Sequence, residues 1–125
     1  ESAVDFILRK AEELDGELEI ITTGRMTNLA MAVMKDTKLP KKVKRVVTMG
    51  GTLYAKGNVN PYAEANIQGD AHASDIVFRA GFHLTLVGLD VTMNTFITDR
   101  EITNLCKYCK EDCKDIAEYI KNLNC

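Results

Sequence analysis

Asn58, Asn60, Glu64 and Asn66 crowd into one stretch of chain, MGGTLYAKGNVNPYAEANIQGD, which runs from Met49 to Asp70. Their amide and carboxylate groups form the hydrogen-bonding set that suits a polyhydroxylated ligand. Gly50 and Gly51 stand just ahead of them and permit unusual backbone angles or the close approach of a ligand. Long connections without regular structure are uncommon in compact domains and usually bind something or are disordered. Disorder fits poorly, because the stretch holds Leu53, Tyr54, Tyr62 and Ile67 and carries little charge. A solvated surface loop remains the plain alternative, and composition alone does not choose between the two.

Other chemistry-bearing residues are sparse. His72 and His83 are the only histidines. One falls in the first turn of a predicted helix and the other leads into a strand, so neither is placed as a leaving-group acid. Asp90 closes an apolar segment, a position that tempts as a metal ligand. Cys106 and Cys109 form a CxxC pair, followed by Cys113 and Cys125. Such a pair can hold zinc or exchange disulfides. Yet Ile102, Leu105, Cys106, Cys109, Cys113, Ile116, Ile120 and Leu123 follow helical periodicity, and reduced cysteine packs as a small apolar side chain. With no second CxxC and no nearby histidine to complete four zinc ligands, a buried helix face is the simpler reading.

The elements that must position these residues alternate between helix and strand. Ser2 and Asp5 resemble a capping box opening a helix that Gly16 stops. Leu18–Thr23 reads as a buried strand, Thr27–Lys35 as a helix and Val43–Met49 as a second strand. After the long loop Asp70 is a good N-cap for a helix ending near Gly81. Leu84–Val91 reads as a third strand, apolar enough to be covered on both faces. Thr98 and Glu101 open a single long helix running to about Leu123. Such alternation predicts a parallel sheet with right-handed crossovers. Ligands of open parallel sheets bind beyond the carboxyl ends of the strands. Those ends bring forward Thr23-Gly24, Met49 through Asn66, and Asp90-Val91-Thr92.

The order of residues at these ends carries more than composition does. Met49-Gly50-Gly51, Gly57-Asn58, Ala63-Glu64, Asn66 and Asp70 fall in one block. TTGRMTNLAMA (Thr22–Ala32) and VGLDVT (Val87–Thr92) form two more. Together, from about Leu18 to Thr98, they resemble the signature of the inosine–uridine-preferring nucleoside hydrolase family. The resemblance implies an α/β fold: an open, mainly parallel, Rossmann-like sheet with helices on both faces, present here as a partial domain. It implies hydrolysis of the N-glycosidic bond of ribonucleosides to ribose and free base, through an oxocarbenium-like transition state. Thr23 would lend its backbone carbonyl to a calcium ion (Ca2+). Asn58 and Glu64 would bind the 5′-hydroxyl end of the ribose, Asn66 its 2′/3′ side, and Met49 would lie against the sugar. The family's metal ligands map elsewhere than Asp90, so the resemblance favours a structural role for it.

The chain departs from the family's pattern in several places. Arg25 stands where proline or a small residue is usual, and Ala65 follows Glu64 where an aromatic is common. The family's DxDxxxDD motif and its histidine–aspartate pair are absent from this chain, which begins at Glu1 rather than Met. Residues 1–125 are therefore expected to be a single central fragment of a nucleoside hydrolase domain, inactive alone, because one carbonyl cannot retain calcium. The alternative is a non-catalytic ribose- or nucleoside-binding module. A GxGxxG after a strand, expected of a dinucleotide-binding oxidoreductase, is missing, as is the GxSxG of serine hydrolases.

Remaining expectations follow from charge and hydropathy. A formal net charge of −2 gives no basic footprint for nucleic acid. No apolar run approaches the ~18–20 residues that cross a bilayer, and no signal peptide is visible. A cytoplasmic enzyme of purine or pyrimidine salvage is expected, forming a homo-oligomer (dimer or tetramer) when full length.

Overall fold

The computed structural model describes residues 1–108 and 114–123. The chain divides into two units, Glu1–Met93 and Asn94–Cys125.

The first unit is built on a three-stranded parallel sheet in the order β1 (Leu18–Thr22), β2 (Val43–Met49), β3 (Leu84–Val87). Ile20, Val46 and Leu84 are register partners, so they share one face of the sheet. Against that face lie α1 (Ala3–Leu14), α2 (Thr27–Lys35) and α5 (Ala71–Arg79). Ala11, Leu29, Ala30, Val33, Val46 and Val77 are buried there in one core. Ile21, Val47 and Thr85 line the opposite face, where Ile21 is 74% exposed, so β1 is not the buried strand expected.

Local chemistry sets the boundaries. Ser2 caps α1 by accepting the Asp5 amide at 3.1 Å. The chain leaves that helix through left-handed Asp15 and Gly16. The one-turn helix α3 (Leu39–Lys42) was not expected; it carries Pro40 in its first turn, where a missing N–H costs nothing.

Two further expectations for the first unit are corrected. The stretch from Met49 to Asp70 is not irregular throughout, since α4 (Ala65–Gly69) forms within it. The third strand ends at Val87 rather than Val91. Gly88 opens a helical turn, α6 (Leu89–Thr92), and Thr85 and Leu86 are exposed, so β3 is not covered on both faces. The apolar run through Val91 continues, but its backbone hydrogen bonds change from ladder to helix, with Thr92 and Met93 donating to Gly88 and Leu89.

In the second unit α7 (Asp99–Tyr108) opens on the expected capping box: Thr98 and Glu101 bond reciprocally. Ile102 is buried and Cys106 half-buried, but Leu105 and Ile116 are exposed, so the expected buried face is only partly formed among the described residues. The unit also contains α8 (Lys114–Leu123). Cys109, Cys113 and Cys125 lie outside the described residues. Among the described residues no helix is long and apolar enough to cross a membrane.

Candidate functional site

At the carboxyl end of β2 the ladder continues one residue further, as the Gly50 amide donates to Val87 at 3.1 Å. Gly51 then turns the chain with φ 71°, a left-handed conformation that favours glycine. Its amide donates to the Glu64 carboxylate at 2.9 Å. Glu64 is 3% exposed and also caps α4, accepting the amides of Asn66 at 2.9 Å and Ile67 at 3.1 Å. One buried carboxylate thus joins the end of β2 to the start of α4. Three converging N–H donors replace the water that a buried carboxylate would otherwise lose.

Asn66 completes the junction from its other side. Its side-chain amide donates to the Met49 carbonyl at 3.0 Å, and its Nδ2 lies 3.5 Å from the Thr23 carbonyl. Thr23, Met49, Glu64 and Asn66 therefore meet in one hydrogen-bonded cluster at the ends of β1 and β2. Asn58 joins through the backbone, with its Oδ1 accepting the Ala65 amide at 2.9 Å. Its amide nitrogen and the side-chain oxygen of Asn66 have no partner among the described residues. Asn60 differs: its Oδ1 accepts the amides of Tyr62 and Ala63, so it forms a local turn.

That turn depends on Gly57. A Cβ there would lie 2.3 Å from the carbonyl oxygens of both Asn60 and Ala63. Beside Glu64 opens a cleft of about 310 Å³, lined by Gly51, Thr52, Tyr62, Ile67 and Gln68. A larger cleft of about 530 Å³ lies between α1 and α2 and contains none of the expected residues.

The remaining motif residues tie the blocks together. The Thr27 hydroxyl donates to Asp70 at 2.6 Å, while Asp70 caps α5 through the Ala73 amide. Both bonds hold the Asp70 carboxyl below its ordinary range, the Thr27 hydroxyl contributing most. Asp90 accepts the amides of Leu53, Tyr54 and Ala55, each at 2.8 Å. Those three donors lower its pKa from 3.8 to about 2. The structural role preferred for Asp90 agrees with these bonds. Its partners lie far away in sequence, and nothing in the sequence named them. His72 and His83 are exposed. Arg25 lies across Gly69, where a Cβ would meet its Nε at 2.4 Å. No substituted residue could stand at Gly69 without moving it.

The three motif blocks are thus one physical object, and comparison with known proteins accounts for them together. The family model described as inosine-uridine preferring nucleoside hydrolase matches residues 1–124. The chain belongs to this nucleoside hydrolase family. It is 44% identical over 108 residues to uridine nucleosidase 1 of Arabidopsis thaliana, covering 85% of this chain and 32% of the relative. With the pyrimidine-specific ribonucleoside hydrolase RihA of Shewanella sp. (strain ANA-3) it shares 35% identity, over 95% of this chain and 37% of that one. The solved purine-preferring ribonucleoside hydrolase from Gardnerella vaginalis superposes with a TM-score of 0.87 at 40% identity, over 94% of this chain and 37% of that one. The chain spans about a third of the length of the relatives it matches.

Nucleoside hydrolases are generally metal-dependent, so the fit of a metal can be judged from the donors present. The Thr23 carbonyl stands at an exposed strand end. Among the described residues, no three His, Cys, Asp or Glu side chains converge into a metal-binding group. Calcium requires about six to eight oxygens. The described residues of this chain do not hold the ion by themselves.

Proposed function

We propose that this chain is the central, ribose-holding part of an enzyme that hydrolyses the N-glycosidic bond of ribonucleosides to ribose and free base. One observation carries the reading: Asn58 and Asn66 are each fastened to backbone at one end of the amide and open at the other. They stand where ligands of parallel sheets bind. A fixed amide costs little ordering when it meets a sugar hydroxyl. In this reading Asn58 and Glu64 serve the 5′-hydroxyl end of the ribose, Asn66 serves its 2′/3′ side, and Met49 lies against the sugar. The Glu64 carboxylate adds negative potential where the departing base leaves positive charge.

Calcium belongs to the proposal, with the Thr23 carbonyl as one ligand and the others outside this chain. Residues 1–125 are read as a single central piece of one hydrolase domain. The setting is cytoplasmic salvage of purines or pyrimidines. The full-length protein is a dimer or tetramer, with small nucleosides as substrates and neither nucleic acid nor membranes as partners. The relatives' names cover uridine, pyrimidines and purines, so the substrate panel must include both base classes.

The test is base release from uridine and inosine by the full-length protein, with calcium and with a chelator. Calcium-dependent release is expected from that protein and none from the 125-residue chain alone. Saturable nucleoside binding without release would replace this reading with the non-catalytic module. Turnover by the chain alone would overturn the assignment of ligands to other segments.

A further inference from the structure

The turn after β3 grips the site loop through more than one bond. Gly88 lets two backbones pass closely, since a Cβ there would come within 3.0 Å of the Gly51 carbonyl oxygen. The next residue, Leu89, donates its amide to that carbonyl at 2.9 Å. Asp90 then takes the Leu53 amide on Oδ2 and those of Tyr54 and Ala55 on Oδ1. Thr52 closes the same turn by donating to the Ala55 carbonyl at 2.6 Å. Gly51 stands between two anchors: its carbonyl is held from α6 and its amide by Glu64. Three donors on two oxygens suit a carboxylate. An amide would present N–H to one of them.

We propose that Asp90 is a positioning residue for the ribose-binding loop, fixing residues 51–55 and, through Gly51, the carboxylate of Glu64. The proposal rests on the ribose-binding reading above. Asp90 touches neither substrate nor reacting atoms in it. Its effect passes through the backbone to Glu64 and then to Asn66, whose amide Glu64 also holds.

The experiment compares wild type, Asp90→Asn and Asp90→Glu of the full-length protein. It measures amide hydrogen exchange at residues 51–55 and 66, and kcat/KM for uridine and 5′-deoxyuridine. Asp90→Asn is expected to speed exchange at Leu53, Tyr54, Ala55 and Gly51. It should lower kcat/KM for uridine by about ten- to a hundredfold, the scale of a small misplacement in a preorganised site. Discrimination against the 5′-deoxy analogue should shrink by about threefold or more, as coupled groups lose their mutual alignment. Asp90→Glu, which keeps both oxygens, should recover part of each effect, and it replaces the Asn variant if that one does not fold. Unchanged exchange at Gly51, or reduced turnover with unchanged discrimination, would overturn the proposal. If wild type turns over no nucleoside, the hydrolase reading falls, while exchange at Gly51 still decides whether Asp90 holds the loop.

Discussion

Polar side chains are used differently at the sheet's carboxyl edge and along the outer surface of α1, β1 and β2. At the carboxyl edge Glu64, Asp90, Asn58 and Asn66 all bond to backbone groups. Along α1, β1 and β2 the charges pair with one another: Arg9 with Glu1 and Glu13, Lys42 with Glu12 and Asp36, Lys44 with Glu17, Arg45 with Glu19. Exposed ion pairs are screened by salt and contribute about 0–1 kcal/mol each. A buried carboxylate that satisfies several amides is costly to remove, because those amides are left unbonded. The difference separates a surface where charges pair with one another from an edge where polar side chains fasten the backbone of a loop.

Glu64→Ala should break that contrast most severely. Gly51, Asn66 and Ile67 would lose their acceptor, and α4 would lose its cap. An expected cost of about 2–4 kcal/mol combines a lost cap with unsatisfied amides. Denaturant titration of the full-length protein measures it. On the functional reading, kcat/KM should also fall by about a hundredfold or more, the scale of one preorganised group. A Glu64→Ala protein of wild-type stability would mean that the carboxylate does not hold the loop.

Gly57→Ala is expected to rank next. The new Cβ would meet two carbonyl oxygens and one amide nitrogen, all backbone, at 2.3–2.4 Å, so nothing nearby can swing aside. Overpacking of this kind costs about 1–3 kcal/mol. The turn at Asn60 should open and carry Asn58 with it. The unfolding temperature should fall and, on the functional reading, binding of a nucleoside should weaken. Binding unchanged within error would detach Asn58 from the site.

Acid should probe Asp90 more gently. Its folded pKa of about 2 lies below the ordinary 3.8 because three amides stabilise the charged form. A depressed carboxyl value gives stability that is fully present above about pH 4 and is lost as pH falls toward 2. Exchange at Leu53, Tyr54 and Ala55 should rise in that window before the core around Val46 and Val77 opens. Simultaneous opening would make the loop and core one cooperative unit.

These expectations rest on contacts of unequal visibility in the sequence. Thr27–Lys35 and Val43–Met49 were legible to the residue, because helical spacing and a compact apolar run are local codes. Helix α4 was not, since glutamate is an unusual N-cap and Asp70, a conventional one, lies just beyond. Apolar Leu89 and Val91 hid the end of β3 by extending a strand-like pattern through a helical turn. Thr23, Met49, Asn58, Glu64 and Asn66 could be named from motif order. Their mutual bonds could not be read there, nor could the reach of Asp90 across 35 to 37 positions. Side-chain-to-backbone bonds between distant segments leave no periodic trace.

The smallest effect is expected where the surface looks best ordered. Arg45 and Glu19 face each other on neighbouring strands at 2.8 Å, yet both side chains are near half exposed. Cross-strand register places them together whether or not they attract, as Glu19 and Arg45 are direct partners in the β1–β2 ladder. Their attraction is weakened by water and offset by the entropy of holding two long side chains in one geometry. A double-mutant cycle with Arg45→Ala and Glu19→Ala should give a coupling of about 0.2–1 kcal/mol that shrinks toward zero in high salt. Lys44 also lies 3.9 Å from Glu19, so the single Arg45→Ala change leaves that carboxylate with another cation. A salt-insensitive coupling above about 2 kcal/mol would place this pair with the carboxylates of the loop, and the division between the two regions would not hold.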